Sequence, residues 1–392
     1  MTVKSMRSVD RFLGVPLCWV TGLFGRPFRR EAPAPKEWES ILIIKLFGLG
    51  SVLLSTPFLS VVRERFPHAR ILYLTFASNK ELLDRLPQEV ECAAISTESP
   101  WDFVVSTFEV MRRIRREHVQ VVFDLEFFSK FSTLVSVLSG ARIRVGYALP
   151  TRWRRWNLTH PVELDRSAHV TRVFLNQLVP LGISISSPPH ISPLVPSSEE
   201  MVSMEQKLKL GPNGVKIVCV NVNAGPTSLE RRWDATRFIN VAGAYVMKHQ
   251  ATRFFFIGNM DERDYVERAL RDSPTLRPHA VNCAGMLSLG ELIALFHRSQ
   301  LLLTNDSGPM HIAAACGTPV VALFGPESPR FSGPIGNASV IYKSLSCSPC
   351  LNMYNAKLFI CPYNAQCMRE ISTDEVFETM ESIMAPSLTY MG

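Results

Sequence analysis

Two series of short apolar runs, each alternating with helical segments, constrain this chain more than any other feature of its sequence. The first series opens with residues 41–46 (ILIIKL) and the second with Lys216–Asn221 (KIVCVN). Apolar runs of this length are typical of strands buried in a parallel sheet. Their alternation with helices is typical of doubly wound α/β domains. The sequence therefore predicts an α/β fold with two Rossmann-like domains.

The remaining elements of each series follow from apolar spacing and turn residues. After the turn Gly48-Leu49-Gly50-Ser51, we expect helices over residues 52–65, 103–117 and 129–138, and strands over 70–75, 119–125 and 143–147. In the second series, we expect helices over residues 235–248, 289–297 and 307–316, and strands over 253–257, 301–304 and 319–324. Two such domains facing each other across a cleft form a site for a ligand that contacts both.

The length of the chain also favours two domains, because 392 residues exceed the roughly 250–300 at which a single core usually divides. Ser186-Ser187-Pro188-Pro189 and residues 193–198 are typical of a linker. The sequence therefore predicts an N-terminal segment over residues 1–39, Rossmann-like domains over 40–185 and 201–345, a linker over 186–200, and a cysteine-rich loop with a C-terminal helix over 346–392.

The N-terminal segment carries a short apolar run between arginines. Residues 12–24 read FLGVPLCWVTGLF, with Arg7 and Arg11 before them and Arg26, Arg29 and Arg30 after them. The run is shorter than the roughly 18 apolar residues needed to span a bilayer. Its pattern predicts a segment at a membrane surface, with arginines at the headgroups. A helix packed on the domain is the alternative, and a signal peptide is disfavoured because no A-x-A-like cleavage site follows.

The most informative stretch for chemistry is residues 301–326, LLLTNDSGPMHIAAACGTPVVALFGP, in which a strand runs into a polar loop and then a helix. Ser307 and Gly308 lie at the start of that helix, where free N–H groups and the helix dipole favour a phosphate. His311 lies one turn further and could donate to a diphosphate oxygen, while Asp306 could cap the helix or bind a sugar hydroxyl. The alternative is that Asn-Asp-Ser-Gly-Pro serves only helix capping and turn formation.

Residues 304–326 resemble the hallmark segment of the ADP-heptose:lipopolysaccharide heptosyltransferase family, glycosyltransferase family 9, whose fold is GT-B. Residues 41–71 (ILIIKLFGLGSVLLSTPFLSVVRERFPHARI) resemble the first strand, loop and helix of that family. Residues 221–238 (NVNAGPTSLERRWDATRF) resemble it as well, and the similarity covers most of residues 41–385. The joint match is far more specific than any single glycine motif.

The resemblance implies a C-terminal domain that binds a nucleotide-diphosphate sugar such as ADP-heptose. It also implies an N-terminal domain that receives an acceptor related to lipopolysaccharide core at the inner face of the cytoplasmic membrane. Transfer would be inverting, with no metal or other cofactor required. The residues that match the family's donor motif are Asp306, Ser307, Gly308, Pro309 and His311. Arg231 falls where the family usually places a phosphate-contacting lysine and is followed by Arg232, although a plain surface charge is the alternative.

The sequence departs from the family where the general base is expected. The first loop usually has Gly-Asp, whereas here Gly48 and Gly50 precede Ser51, and serine cannot act as an unassisted base at neutral pH. Asp124 and Glu126, at the end of a predicted strand, are candidate replacements, although capping or structural hydrogen bonding is the alternative for each.

Three other functional readings compete with sugar transfer. Because the usual base is absent, a non-catalytic nucleotide-sugar or glycolipid-binding protein is the first. Another GT-B enzyme, such as a sugar 2-epimerase, is the second. An NAD-dependent oxidoreductase is disfavoured, because Gly48-Leu49-Gly50 lacks the final glycine of G-x-G-x-x-G.

The nine cysteines divide into two groups. Five lie in apolar surroundings and are expected in the core: Cys18, Cys92, Cys219, Cys283 and Cys316. The other four cluster near the C-terminus: Cys347, Cys350, Cys361 and Cys367. C-x2-C is a common zinc half-site, so a structural zinc ion is one use of the cluster, and buried free thiols or a disulfide are the alternatives. Similar cysteine-rich tails occur in a number of the sequences that this chain resembles.

The densest basic region combines arginines with aromatic residues: Arg142, Arg144, Arg152, Arg154 and Arg155, with Tyr147, Trp153 and Trp156. Together with a formal net charge of +7, it favours an anionic partner. An anionic glycolipid fits the predicted membrane segment better than nucleic acid does, and a solvated loop is the alternative. The sequence therefore predicts a cytoplasmic protein, peripheral on the inner membrane, that binds no nucleic acid.

Overall fold

The structure is a computed structural model that describes residue 10 and residues 14–24, 37–148, 152–185, 190–210, 215–225, 229–351 and 360–385. The chain divides into two compact units, Met1–Ser192 and Pro193–Gly392. The division falls in the segment over which the sequence predicts a linker, although residues 186–189 lie outside the described part of the chain. Arg7, Arg11, Arg26, Arg29 and Arg30 also lie outside the described residues.

The first unit contains six strands and eight α-helices within its described residues. The strands are β1 (Ser40–Ile44), β2 (Arg70–Phe76), β3 (Glu91–Ile95), β4 (Val121–Asp124), β5 (Ile143–Ala148) and β6 (His160–Glu163). The helices are α1 (Gly14–Phe24), α2 (Leu49–Leu53), α3 (Thr56–Arg65), α4 (Lys80–Leu83), α5 (Pro100–Arg116), α6 (Lys130–Leu138), α7 (Arg152–Arg155) and α8 (Val170–Leu175).

The second unit repeats this plan. Its strands are β7 (Lys216–Asn221), β8 (Thr252–Phe256), β9 (Ala280–Asn282), β10 (Leu301–Asn305), β11 (Val320–Phe324) and β12 (Ala338–Tyr342). Its helices are α9 (Ser198–Leu208), α10 (Ala235–Lys248), α11 (Arg263–Arg271), α12 (Leu289–Arg298), α13 (Gly308–Ala315), α14 (Pro329–Ser332), α15 (Gln366–Arg369) and α16 (Thr373–Met384). Short 3-10 helices include Leu229–Arg231, between β7 and α10.

Both sheets are parallel, six-stranded and identical in topology. The first has the order β3-β2-β1-β4-β5-β6, and the second has the order β12-β11-β10-β7-β8-β9. Counted along the chain within each unit, both are the 3-2-1-4-5-6 order of a Rossmann fold. In such a sheet the strand order reverses between the first and fourth strands, and ligands bind outside the carboxyl ends of the strands at that point. Ligand sites are therefore expected at two places: the ends of β1 and β4, and the ends of β7 and β10.

Central strands bury every side chain because helices cover both faces of the sheet. All five residues of β1 (SILII), β10 (LLLTN) and β11 (VVALF) are buried. In the second unit, α10 packs its apolar face onto the sheet through Phe238, Val241, Ala242 and Tyr245, which join one core cluster with β7 and β8. Burying a side chain the size of Phe238 or Val241 stabilises the unit by about 1.5–3 kcal/mol.

The prediction of one helix over residues 52–65 is wrong, because the structure has two helices here, α2 and α3. Pro57 has no N–H to donate to the carbonyl of Leu53. The Thr56 hydroxyl donates to that carbonyl instead, at 2.8 Å. The Ser55 hydroxyl donates to the carbonyl of Val52 at 2.6 Å. These side-chain bonds satisfy the carbonyls where the helical pattern stops.

The helix α1 packs on the first unit through one face and exposes the other. Cys18 is buried, and its carbonyl accepts a hydrogen bond from the Asn157 amide at 2.9 Å. The rings of Trp19 and Trp156 meet edge to face, with centroids 4.7 Å apart. On the outer face, Leu17 and Val20 are each about half exposed. No helix in the described part of the chain is both long and apolar enough to cross a membrane.

Candidate functional site

The switch point of the second sheet is built by asparagines that tie two loops together. Asn305 ends β10, its amide donates to the carbonyl of Val222 at 3.0 Å, and its side-chain oxygen accepts from the backbone N–H of Trp233 at 2.9 Å. Asn221 ends β7 and donates to the Ser307 hydroxyl at 2.9 Å. The loops after β7 and β10 are therefore fixed with respect to each other at the sheet edge.

The start of α13 has the features of an anion site. The Ser307 hydroxyl bonds with Asn221 and Thr304 and makes no capping bond to the helix. A side chain placed on Gly308 would meet nothing within 4 Å, so open space lies in front of this turn. Pro309 occupies the first turn, where its missing N–H costs nothing. The free N–H groups of this eight-residue helix can therefore receive an anion from that space.

His311 lies within the first turn of α13 and is 8 % exposed. A histidine here has two ring nitrogens, of which at least one can donate to an anionic oxygen at neutral pH. His311 therefore lies in the turn at which the sequence predicts an anion site.

Arg231 and Asp306 form an ion pair at the edge of this space. The Arg231 guanidinium donates to the Asp306 carboxylate at 3.2 Å and to the carbonyl of Ala224 at 2.9 Å. The Arg231 side chain is 17 % exposed and the Asp306 side chain 7 %. The Nε of Arg231 is buried and has no hydrogen-bond partner among the described residues. Because part of the side chain nevertheless reaches solvent, the rest of the guanidinium can donate to a further group, such as a phosphate.

Glu327 is a third charged residue at this edge, which the sequence analysis missed. It follows the end of β11, the strand beside β10, and its charge interacts with those of Asp306 and Arg231. The pKa of Glu327 is raised to about 8, chiefly by burial and also by the nearby Asp306 carboxylate, while Arg231 acts to lower it. Burial likewise raises the pKa of Asp306. Arg231, Asp306 and Glu327 are named here the charged cluster.

The signal for Glu327 was present in the sequence. The carboxyl ends of neighbouring parallel strands meet at one edge of a sheet, and the sequence predicts the strands that precede Asp306 and Glu327. The sequence analysis did not predict that those two strands are neighbours, because two strands that are consecutive in the chain need not be adjacent in the sheet.

Arg232 does not join the charged cluster. Its guanidinium lies 4.8 Å from the centre of the Tyr265 ring. There it lines a separate cavity of about 840 Å³ together with Arg237, Arg268 and Arg369. The sequence prediction places Arg231 and Arg232 together in the donor site, whereas the structure directs these adjacent side chains to different places.

At the switch point of the first sheet, Gly48, Gly50 and Ser51 form the turn between β1 and α2. Gly48 has φ +82°, in the left-handed region that favours glycine. Gly50 is buried and Ser51 is half-buried. The Ser51 hydroxyl has no hydrogen-bond partner among the described residues.

Asp124 is fully buried and engaged by its neighbours. One carboxylate oxygen accepts from Arg154 at 2.8 Å and from the Ser132 hydroxyl at 2.9 Å. The other oxygen accepts from the backbone N–H of Glu126 at 3.1 Å. Both Asp124 and Arg154 have no exposed side-chain surface. This arrangement matches the structural alternative stated for Asp124, because an acceptor hydroxyl has no access to it.

Glu126 fixes the loop that leads from β1 to Ser51. One of its carboxylate oxygens accepts from Lys45 Nζ at 2.6 Å and from the backbone N–H groups of Leu46 and Phe47 at 2.7 and 3.2 Å. The second oxygen accepts no hydrogen bond from the described residues, and 9 % of the side chain is exposed. Glu126 therefore keeps an acceptor that Asp124 lacks.

The basic and aromatic region is largely structural where it is described. Arg154 is buried on Asp124, and Arg144 donates to the carbonyls of Asn157 and Ala141 at 2.9 and 2.7 Å. The side chains of Arg152 and Trp153 lie outside the described residues. Two arginines of this region reach solvent: Arg142, which is exposed, and Arg155, whose side chain is 57 % exposed.

The four C-terminal cysteines are free thiols that influence one another. The pKa of Cys367 is raised to about 11, chiefly by burial and further by the charges of its three partners: Cys347, Cys350 and Cys361. Within the described residues, no group of three or more histidine, cysteine or acidic side chains is arranged to hold a metal ion. Only Cys367 of the four is buried, no disulfide joins them in the described structure, and a structural zinc ion is unconfirmed.

The sequence as a whole matches one protein family. The model of the family described as glycosyltransferase family 9 (heptosyltransferase) matches residues 107–358, more than half of the chain. Lipooligosaccharide heptosyltransferase 2 of Haemophilus influenzae is 25% identical over 316 residues, which cover 78% of this chain and 88% of the relative. Lipopolysaccharide heptosyltransferase 3 of Escherichia coli is 25% identical over 294 residues, which cover 74% and 84%.

Solved structures give the same result for the fold. A glycosyl transferase of family 9 from Veillonella parvula is 25% identical with a TM-score of 0.74, and the match covers 90% of this chain and 99% of that one. ADP-heptose lps heptosyltransferase II of E. coli has a TM-score of 0.69 at 21% identity, covering 88% and 98%. The predicted fold class, GT-B with two Rossmann-like domains, is confirmed.

Proposed function

Because the chain belongs to glycosyltransferase family 9, it is a glycosyltransferase, and we propose that it transfers a heptose or related sugar from ADP-heptose or a similar donor to an acceptor related to lipopolysaccharide core. In this proposal the sugar transfers with inversion at the anomeric carbon and without a metal ion. The relatives named above are heptosyltransferases of lipooligosaccharide and lipopolysaccharide, which supports this choice of sugar and acceptor.

The observation that carries the proposal is the Arg231–Asp306 pair beside the uncapped start of α13. A nucleoside diphosphate needs a cation and several N–H donors, and this edge supplies both. In the proposed complex, His311 and the first N–H groups of α13 bind the diphosphate, and Arg231 is shared between it and Asp306. As the bond to the anomeric carbon breaks, these donors stabilise the charge that develops on the leaving diphosphate.

Glu327 supports this assignment rather than opposing it. With a pKa of about 8, its carboxyl is mostly protonated at neutral pH. A protonated Glu327 adds no negative charge beside the incoming phosphates, and the Asp306 carboxyl group is paired with Arg231. Were both carboxylates ionised, the charged cluster would carry a net negative charge and would repel the donor.

On the acceptor side, we propose Glu126 rather than Asp124 as the group that accepts the proton of the attacking hydroxyl. Glu126 retains an oxygen without a hydrogen bond from the described residues, whereas both oxygens of Asp124 are engaged. Glu126 also lies at the end of β4, beside the loop from β1 that carries Ser51. In this step the hydroxyl loses its proton to Glu126 while its oxygen bonds to the anomeric carbon and the nucleoside diphosphate leaves.

We also propose that the protein works at the inner face of the cytoplasmic membrane, where a lipid-linked acceptor would be found. The packed helix α1 is compatible with this proposal, since its outer face exposes Leu17 and Val20. An exposed apolar helix face of this kind can enter the boundary between headgroups and acyl chains.

Isothermal titration with ADP tests the donor site. We expect Arg231→Ala and His311→Ala each to weaken ADP binding by about 10- to 100-fold, because each removes a donor to an anionic oxygen. Arg231→Lys should bind ADP more tightly than Arg231→Ala and less tightly than the wild type, since lysine keeps the charge and loses the second donor. Arg271→Gln, which changes an exposed arginine on α11, is the matched control. Unchanged affinity in both alanine variants would defeat the assignment.

Product formation then separates catalysis from binding. Incubation of the purified protein with ADP-heptose and a lipopolysaccharide-core acceptor should yield ADP and an elongated acceptor. Ser51 is the observation that favours a non-catalytic homologue, and affinity for ADP without any elongated acceptor would establish that reading. Nucleotide release without acceptor would instead indicate a 2-epimerase-like reaction.

A further inference from the structure

The helix α5 presents an apolar stripe to solvent. Four large side chains in its first half are exposed, by 73, 57, 37 and 70%: Trp101, Val104, Val105 and Phe108. Spacings of three, four and seven residues place them on one helix face. The opposite face, with Val110 and Ile114, is buried on the unit. The helix thus has an apolar face toward the core and a second apolar face toward water.

The same outer face becomes basic in the second half of α5. Arg112, Arg115 and Arg116 follow the stripe and are exposed. Arg112 and Arg116 form no ion pair with the residues that the structure describes. Arg115 donates to the carbonyl of Leu138 at 3.0 Å, which leaves its charge without a carboxylate. The outer face of α5 therefore combines a band of apolar side chains with a band of guanidinium groups.

Exposure of this size is costly in water. Single exposed apolar residues are common, but a contiguous patch marks a surface that binds something. Burying a side chain the size of Trp101 or Phe108 is worth about 1.5–3 kcal/mol. Burying the stripe against an apolar partner would therefore favour binding of that partner.

Helices that neighbour α5 also expose apolar side chains. Phe103, on the inner side of α5, packs against Phe131 of α6, with ring centroids 5.4 Å apart. The helix α1 also packs on α6, since the Cys18 thiol lies 3.8 Å from the Lys130 carbonyl. Exposed apolar side chains are thus found on three neighbouring helices of the first unit: Leu17 and Val20 on α1, Leu138 on α6, and the stripe of α5.

We propose that the outer face of α5 docks on an anionic lipid bilayer, with the stripe in the acyl boundary and the arginines at the headgroups. This inference deepens the proposed function, which places the acceptor on a lipid, but it depends on no sugar chemistry. It differs from the membrane segment predicted from the sequence, which involves α1 alone. In this arrangement α5 supplies a broader contact, and α1 adds to its edge.

Charge complementarity favours a bilayer over a second copy of the chain. The outer face of α5 offers three arginines, whereas the two carboxylates of this helix, Asp102 and Glu109, lie at its margin. A second copy would present the same excess of guanidinium groups, whereas anionic headgroups supply the opposite charge. The chain as a whole carries a formal net charge of +7, which acts in the same direction.

Sedimentation of the full-length protein with vesicles tests the proposal. The wild type should bind vesicles of phosphatidylcholine mixed with phosphatidylglycerol. It should bind vesicles of phosphatidylcholine alone much more weakly. Trp101→Gln with Phe108→Gln should weaken binding at least about tenfold. Arg112→Gln with Arg116→Gln should weaken binding to the anionic vesicles only. The control, Val202→Gln with Met247→Gln, changes two side chains of the second unit that are also exposed, by 52 and 69%, and should bind as the wild type does.

All the altered side chains are exposed, so thermal unfolding of the variants should match that of the wild type. Three results would overturn the proposal. One is a wild type that does not bind anionic vesicles. Another is a Trp101→Gln, Phe108→Gln variant that binds as well as the wild type while Leu17→Gln with Val20→Gln does not. The last is sedimentation velocity showing a wild-type dimer that these α5 substitutions dissociate. None of these readouts involves ADP, so they stand apart from failure of sugar transfer.

Discussion

Glu327 offers the sharpest test of the donor site, because its protonation is expected to control the binding of an anion. Its pKa of about 8 means that roughly one carboxyl in ten is ionised at about pH 7 and nine in ten at about pH 9. If the nucleoside diphosphate binds only when Glu327 is protonated, affinity for ADP should fall about tenfold over that interval, or about 1.4 kcal/mol. Glu327→Gln keeps the shape and removes the titration.

The same shift has a consequence for folding. The native protein holds a proton on Glu327 that the unfolded chain releases above the ordinary glutamate pKa of 4.5. Stability is therefore unaffected by this group below pH 4.5, falls as the pH rises toward about 8, and is constant above that value. The full loss is at most roughly 5 kcal/mol, reduced by the solvent exposure that the side chain retains. Glu327→Gln should thus be more stable than the wild type in alkaline solution and equal to it in acid.

Two measurements decide the matter: isothermal titration with ADP, and urea unfolding, both as functions of pH. Glu378→Gln, an exposed glutamate on α16, is the control with the same chemical change. Comparing the two variants cancels the titration of ADP itself. The reasoning fails if Glu327→Gln retains the wild-type decline of ADP affinity with pH, or if both variants unfold with the same pH dependence.

Three further substitutions test other parts of the structure. Arg154→Leu leaves the Asp124 carboxylate buried without its cation, so urea unfolding should show a loss of about 3–5 kcal/mol, and adding Asp124→Leu should restore most of it. A double variant as unstable as the sum of both single changes would contradict this coupling. Glu126→Gln should lower kcat by at least about 100-fold with ADP affinity unchanged, and an unchanged kcat would remove Glu126 as the base. Gly325→Ala should destabilise by about 1–3 kcal/mol, since its Cβ would collide with buried sulfur atoms, whereas Gly243→Ala, whose Cβ meets nothing, should be neutral or stabilising.

Much of the fold was accessible from the sequence because central strands and their covering helices carry strong patterns. The bounds of β7 and α10 agree with prediction at both ends. The strands missed were β3, β6, β9 and β12, which lie at or near sheet edges. Their side chains are only partly buried, so they lack the continuous apolar run by which a buried strand is recognised.

The site was predictable in part. The motif around Ser307 locates the helix start, because strand, polar loop and small-residue helix are all local features. The different directions of Arg231 and Arg232 are not local, since they depend on which neighbours the fold brings to each side chain. Asp306 lies beside one arginine and Tyr265 beside the other. No pattern within the sequence LERRW carries that information.

Identical sheet topology does not give the two units identical chemistry. The reason is that one arginine in each unit, Arg154 in the first and Arg231 in the second, differs in its exposure to solvent. Each sheet has an arginine–aspartate pair at the end of its fourth strand: Arg154 with Asp124 in the first, and Arg231 with Asp306 in the second. Arg154 has no exposed surface, so no ligand can compete with Asp124 for its donors. Arg231 is 17% exposed and pairs with Asp306, which lies two residues before Gly308 and the open space at the start of α13. An anion can therefore share Arg231 but cannot reach Arg154, and for this reason we place the proposed donor site in the second unit.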